Sequence, residues 1–294
     1  MNKKILYIIN PISGTKKNKN IEKIIDYETD KNQFELSIKY TKYPGHGSEL
    51  SEWAVKNKYN VVIAVGGDGT VNEVSSALIN TDIIFGIIPK GSGNGLARFL
   101  KIPINKSNAV QLINQMNVFK MDSILLNNFH YVNMAGIGFD AHIAHLFANY
   151  GKRGFKSYVE LIFREFKKFE SKYYNLVIDG KTINEQAFLI SFANSSQFGN
   201  EAHIAPLAKI NDGLIDVCIL NRFPKYKVIG IIYQLYTKRL LKSKYYKVYK
   251  AKQIELKSEH ELKGHIDGDP VNFGSKLNIK ILPQSLNVIS GRNF

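Results

Sequence analysis

Gly66, Gly67 and Gly69 surround Asp68, and Thr70, Asn72 and Glu73 follow directly. Three glycines in four positions let backbone N–H groups approach a phosphate with no Cβ in the way. A helix starting there would point its positive end at the same anion. A carboxylate at Asp68 suits Mg²⁺, which takes carboxylate and phosphate oxygens together. No Gly-Lys-Ser/Thr follows, so this is not a Walker loop, and it is not a dinucleotide fingerprint. Taken alone it also fits a tight strand–helix turn. A second cluster, Pro89-Lys90-Gly91-Ser92-Gly93-Asn94-Gly95, brings hydroxyl and amide donors, with Lys90 and Arg98 as cations for phosphate oxygens. A third polar turn reads Asn10-Pro11-Ile12-Ser13-Gly14. Three such turns after three strands point to a nucleotide site.

The elements that must position these turns alternate in type. Lys4–Ile9, Phe34–Tyr40, Asn60–Val65 and Ile83–Ile88 read as strands, and Ile21–Tyr27, Ser48–Lys56 and residues 71–79 as helices. Such alternation predicts a parallel sheet covered by helices, with ligands gathering at the carboxyl ends of its strands. From about Met121 short alternating runs dominate: Asp122–Leu126, Tyr131–Met134, Tyr174–Ile178, Ala187–Phe192, Leu214–Leu220, Gln253–Leu256 and Leu277–Leu282. Turn residues between them suggest an antiparallel sandwich, interrupted by helical insertions over Ala141–Phe169 and Lys225–Ser243. The fold class expected is an α/β nucleotide-binding domain with a mainly parallel sheet, then a β-rich antiparallel sandwich domain.

At 294 residues, 44% hydrophobic and 22% charged, the chain has the composition of a globular protein of two domains rather than of a disordered one. One cysteine, Cys218, closes no internal disulfide and fits a reducing compartment; like Trp53, it reads as a packing residue. The opening MNKKILYII is stopped by Asn10-Pro11 too early for a signal peptide. No run approaches the ~18 apolar residues of a spanning helix. The net charge of +15 favours an anionic partner: nucleic acid, nucleotide or acidic lipid headgroups. Residues 225–252 carry nine Lys/Arg, six tyrosines and no acid, as befits a bilayer surface, unless Val228–Leu241 packs on the sandwich. Residues 151–172 show a milder version. No RNA-binding motif accompanies them. His142 and His145 share a helix face without an evident third ligand.

The segments NPISG (10–14), GGDGTVNEV (66–74), PKGSGNGLAR (89–98), NMAGIGFDA (133–141), APLAKINDGLID (205–216) and HIDGDP (265–270) occur in this order along nearly the whole chain. Together they resemble the bacterial soluble lipid kinases of the diacylglycerol kinase catalytic-domain family, relatives of sphingosine and ceramide kinases. NAD kinases share the first glycine loop, but the later segments resemble the lipid kinases instead.

The resemblance implies ATP contacts from Asn10, Pro11, Ser13, Gly14, Thr41, Gly66, Gly67, Asp68, Gly69, Thr70, Asn72 and Ser92, and Glu73, Gly91 and Asn94 join these candidates from the glycine loops themselves. Ser92 stands where family members commonly have Thr. It further implies a Mg²⁺ site from Asp212 with the backbone carbonyls of Lys209 and Leu214, although Asn211-Asp212-Gly213 alone reads as a hairpin turn. It implies a catalytic pair: Asp68 helping to place the metal, and Asp269 taking the proton of the acceptor hydroxyl. The family usually has Glu at the latter position, one methylene longer, and Asp267 is a fallback.

The expectation is therefore a Mg²⁺- and ATP-dependent lipid kinase acting on diacylglycerol or a related glycerolipid. Its ATP-binding domain spans residues 1–125 and is joined by 285–294. Its lipid-acceptor sandwich spans 126–284, with a cleft between the two. It is expected to be cytoplasmic and peripheral to the membrane, meeting anionic phospholipid headgroups, with a homodimer left open. The rival readings are a kinase of a soluble acceptor such as NAD, and a nucleotide-binding or basic-surface module without turnover.

Overall fold

The computed structural model describes residues 2–14, 20–150 and 155–292. The chain packs as two units, Met1–Ser123 with Pro283–Phe294, and Ile124–Leu282.

In the first unit the elements run β1 (Lys3–Ile9), α1 (Ile21–Glu28), β2 (Phe34–Tyr40), α2 (His46–Lys56), β3 (Val61–Gly66), α3 (Asp68–Ser76), β4 (Ile84–Pro89), α4 (Gly95–Phe99) and α5 (Lys106–Gln115). The strands lie in the order β4-β3-β1-β2 and all pair in parallel. β3 is buried at every position, as a central parallel strand covered on both faces must be. Helices bury short stripes against the sheet, Ile21 and Ile25 in α1 and Ala109, Val110, Leu112 and Ile113 in α5. Helix α5 escapes the sequence reading because its stripe is short. Its one local signal is Asn105, whose side chain caps the Asn108 amide at 3.2 Å.

Two helix starts differ from expectation. α2 begins at His46 behind Gly45, which sits at φ 88°, rather than at Ser48. The Ser48 hydroxyl instead donates to the Glu73 carbonyl at 2.9 Å. α3 begins at Asp68 rather than at residue 71, so the glycine loop is already the first helical turn.

In the second unit β5 (Val118–Leu126), which starts in the first unit, is followed by β6 (Phe129–Tyr131), β7 (Met134–Gly138), α6 (Phe139–Ala148), α7 (Phe155–Phe166), β8 (Lys172–Ile178) and β9 (Lys181–Ala193). Then come β10 (Ile215–Asn221), α8 (Val228–Tyr236), β11 (Tyr246–Ala251), β12 (Gln253–Lys257), β13 (Lys263–Ile266), β14 (Asp269–Asn272) and β15 (Lys276–Ile289). Here pairing is antiparallel. β9 meets β8 along its first half, then β7 and β10 along its second. Alternate residues serve two cores. Ile190, Phe192, Val217 and Ile219 join one made by strands. Leu189, Ala193, Cys218 and Leu220 join another, with Phe139, Leu161, Ile231 and Leu240 from helical segments. The end of β15 pairs in parallel with β4 through Asn287 and Val288.

Expectations are corrected here too. Tyr131–Met134 is not one strand but the end of β6 and the start of β7. The Asn211-Asp212-Gly213 turn closes no hairpin, since it ends the long loop between β9 and β10. The basic stretch 225–252 is not one helical stripe, because its last part is β11. There Tyr246 is buried and donates to the Ile204 carbonyl at 2.5 Å. Trp53 is 36% exposed, with Lys39 Nζ 4.1 Å from its ring centre. The Cys218 thiol is buried, which pushes its pKa up. The start of the 151–172 segment lies outside the described residues.

Candidate active site

Because β4, β3 and β1 are adjacent and parallel, the three polar turns emerge at one edge of the first unit. Gly66 faces Pro89 in the β3–β4 register, and the Lys90 amide donates to the Gly66 carbonyl at 2.7 Å. The Asn10 amide likewise donates to Val65 at 3.0 Å, and its side-chain amide to Thr70 Oγ1 at 3.0 Å. The Asn10 carbonyl accepts from Lys90 Nζ at 3.2 Å. Thr41, buried at the end of β2, donates its amide to Ile9 at 2.9 Å. Ser13 and Gly14 turn the chain away from β1, Gly14 at φ 78°.

The two glycine loops touch backbone to backbone. A Cβ on Gly91 would lie 2.7 Å from Gly67 Cα, and one on Gly67 would lie 3.3 Å from Gly91 Cα. Asp68 fixes this approach: its carboxylate accepts the Asn94 amide at 2.9 Å and the Gly95 amide at 2.7 Å. Hydrogen bonds to a charged group contribute roughly 1.5–3 kcal/mol each. Asn94 closes its own loop, accepting the Gly91 amide at 2.9 Å and donating to the Gly91 carbonyl at 2.8 Å. It does so at φ 53°, which Asn tolerates. Lys90 is buried, and desolvation, with Lys106 adding to it, holds its pKa below the usual lysine range. The result is a double loop whose Gly91, Asn94 and Gly95 amides are held by Asn94 and Asp68, with one desolvated ammonium beside it that suits a phosphate oxygen. Glu73 lies apart from these contacts: its carboxylate accepts the Gly45 and Gly47 amides at 2.8 and 3.0 Å, holding the start of α2.

In the second unit the chemistry gathers at the β13–β14 hairpin. Asp267 and Gly268 turn it at φ 49° and 93°, a pair of left-handed positions that suits a two-residue hairpin. Asp267 is buried and bound twice to Met134 of β7: its amide donates at 2.8 Å and its carboxylate accepts at 2.8 Å. Asp269 opens β14 on the exposed side. Beside the hairpin, His265 Nε2 lies 3.1 Å from Asp140 Oδ2, which also accepts from Ser191 Oγ at 3.3 Å. Gly136 admits this pair, since any Cβ there would collide with both side chains. Asp140 and His265 sit inside quoted motifs, yet their pairing across 125 positions leaves no local trace in the sequence.

His142 and His145 do not converge: His142 meets Glu165 at 3.3 Å and His145 the Gly264 carbonyl at 3.0 Å. A cavity of about 830 Å³ in this unit is lined by both histidines with Phe169, Tyr173, Tyr174 and Lys263.

Lys209, Asp212 and Leu214 fall together in the turn before β10, where the Asp212 carboxylate already has partners. Asp212 accepts the Leu214 amide at 3.1 Å with one oxygen and lies 3.0 Å from Lys250 Nζ with the other. An ammonium therefore stands where a cation on Asp212 Oδ2 would have to come. No cluster of three or more His, Cys, Asp or Glu able to hold a metal occurs among the described residues. No described helix is long and apolar enough to cross a membrane.

Comparisons with known proteins agree along the whole chain. The Diacylglycerol kinase catalytic domain matches residues 4–126, and the YegS C-terminal NAD kinase beta sandwich-like domain matches residues 133–290. A diacylglycerol kinase of Staphylococcus aureus is 27% identical over 283 residues, covering 94% of this chain and 88% of its own. A Chromohalobacter salexigens protein named "Probable lipid kinase YegS-like" is 28% identical over 258 residues, covering 85% and 82%. A solved diacylglycerol kinase structure from Bacillus anthracis shares the fold at a TM-score of 0.74 and 22% identity, covering 98% of this chain and 97% of that one. With one family pattern on each half, the chain belongs to the diacylglycerol kinase catalytic-domain family of phosphotransferases.

Proposed function

We propose that the protein transfers the γ-phosphoryl group of ATP, taken up as its magnesium complex, to a hydroxyl of diacylglycerol or a related glycerolipid. The observation that carries this reading is the backbone approach of Gly67 to Gly91, held by Asp68. It brings the two loops together with no Cβ between them, where a triphosphate would lie. Asn10, Pro11, Ser13, Gly14, Thr41, Gly66 to Thr70, Asn72, Gly91 and Ser92 are assigned to the nucleotide, with Lys90 as a phosphate cation. Asn94 serves by shaping the second loop. Glu73 supports the site from behind through α2.

Phosphoryl transfer asks a protein mainly for positioning and charge neutralisation. The acceptor oxygen forms a bond to the γ-phosphorus, the bond to the β,γ-bridging oxygen breaks, and ADP leaves. The acceptor proton goes to Asp269, preferred over Asp267 because it is exposed, whereas Asp267 is buried and tied to Met134. The shorter Asp side chain needs its backbone closer to the acceptor than a Glu would. The second-unit cavity offers aromatic walls and Lys263 to the glycerol end of such an acceptor.

Contact with the bilayer is assigned to α8 and its flanks. Tyr226, Ile229, Tyr233, Tyr236 and Leu241 are all exposed there, among Lys225, Lys227, Lys238, Arg239 and Lys242. Ile231 and Leu240 of the same stretch are buried. Aromatic tips beside ammonium groups suit an anionic membrane surface.

The test is transfer of labelled γ-phosphate from magnesium–ATP to diacylglycerol in mixed micelles, with NAD as the soluble acceptor alongside. Labelled lipid is expected. Label on NAD alone would replace the acceptor and keep the donor site, and ATP binding with no label on either acceptor would overturn the kinase reading.

A further inference from the structure

We propose that Lys250 is the resident cation of the 209–214 turn, so that this chain holds the turn with an ammonium and takes no Mg²⁺ there. The family resemblance places a magnesium ion on Asp212 and the carbonyls of Lys209 and Leu214. In this chain Lys250 Nζ lies 3.0 Å from Asp212 Oδ2 and 2.9 Å from Asp216 Oδ2. The other Asp212 oxygen accepts the Leu214 amide at 3.1 Å.

The position of Lys250 is set by strand pairing. β11 runs antiparallel to β10 and puts Lys250 directly opposite Asp216. The Asp216 side chain is only 3% exposed, and β10 is held on its other edge by β9, where Asp216 faces Ala193. The lysine therefore reaches a buried carboxylate from the neighbouring strand and extends to the turn carboxylate beyond it. Its compact ammonium has three donors, and two of them meet these acids.

A Mg²⁺ on Asp212 would have to sit about 2 Å from a carboxylate oxygen. The Oδ2 oxygen already faces an ammonium at 3.0 Å, so a second cation on this carboxylate would have to displace Lys250 or bear its repulsion. Lys250 does the metal's task of neutralising the acid and fixing the turn, and it also neutralises Asp216.

This inference stands apart from the kinase reading, and its test uses the full chain without nucleotide. Thermal unfolding is compared in EDTA and in millimolar Mg²⁺. The wild type is expected to unfold at the same temperature in both to within about 1 °C. Lys250→Ala is expected to unfold about 5 °C or more lower in EDTA and to recover part of that loss with Mg²⁺. Asp212→Asn in the Lys250→Ala background should remove the recovery. A Mg²⁺-dependent rise in the wild type that Asp212→Asn abolishes would overturn the proposal. So would a folded Lys250→Ala protein that gains no response to Mg²⁺. A rise that survives Asp212→Asn comes from another site and leaves the assignment standing. Should Lys250→Ala fail to fold, Mn²⁺ titration of the wild type read by electron paramagnetic resonance decides: bound Mn²⁺ that Asp212→Asn removes contradicts the proposal, and its absence supports it.

Discussion

Key carboxylates of the two units take different partners, although Asp267 and Asp179 of the second also accept backbone amides. In the first, Asp68 and Glu73 satisfy themselves on backbone amides, Asp68 on Asn94 and Gly95 and Glu73 on Gly45 and Gly47. In the second, Asp140, Asp216 and Glu185 meet side chains from other strands: His265, Lys250 and Lys247. A carboxylate that organises amides builds an anion-binding loop out of backbone. One that meets a lysine, as Asp216 and Glu185 do, is neutralised in place, and what it organises is the strand pairing. The first arrangement suits a site that receives a phosphate chain. The second suits a scaffold that presents one exposed acid, Asp269, on a firmly held hairpin.

The comparison breaks most severely if Asp68 is removed. Asp68→Ala leaves two amides without their acceptor and frees the Gly67–Gly91 contact, so transfer should fall by about a thousandfold or more and stability by about 2–4 kcal/mol. Steady-state kinetics and a denaturant titration measure the two. Transfer close to wild type would remove Asp68 from the site. Gly91→Ala is the next largest effect. Its Cβ would lie 2.7 Å from Gly67 Cα, and forced overpacking of this kind costs about 1–3 kcal/mol. ATP affinity should fall roughly tenfold by calorimetry, while the second unit's hairpin stays as it is.

The smallest effect sharpens the comparison from the other side. Lys90 of the first unit is a buried lysine whose Nζ donates to the Asn10 carbonyl oxygen. Its folded pKa is depressed by desolvation. For a base lowered in this way, the linked stabilisation is present above the unfolded value of about 10.4 and is lost as pH falls through the folded value. Near neutral pH the charged form is thus a cost to folding. Lys90→Met should fold as stably as wild type, or more so by up to about 1 kcal/mol, yet bind ATP several-fold more weakly. It should also lose the rise in stability toward alkaline pH. A variant that loses stability and keeps ATP affinity would reassign Lys90 to structure.

Legibility in the sequence follows the same division. The glycine loops were readable because their chemistry is local: small residues, a strand before and a helix after. The parallel sheet followed from continuous apolar runs such as Asn60–Val65. What sequence reasoning missed depends on distant partners. Asp140 meets His265, and Lys250 meets Asp212 and Asp216, only after β7, β9, β10, β11 and β13 have paired. β11 itself was hidden because Tyr246, Val248 and Lys250 share a segment so rich in lysine and tyrosine that surface chemistry dominated its reading. Glu73 falls among the nucleotide candidates by its place after the glycine loop, while the fold turns it toward Gly45 and Gly47, a placement no spacing rule encodes.

The division of labour is tested most directly with Asp269→Asn. ATP binding is measured by calorimetry, and labelled γ-phosphate transfer to diacylglycerol in mixed micelles is measured on the same preparation. Nucleotide affinity is expected to stay within about twofold of wild type while transfer drops by about a hundredfold to ten-thousandfold. Transfer at the wild-type rate, or an ATP affinity that falls in step with it, would contradict a separate acceptor base on the second unit.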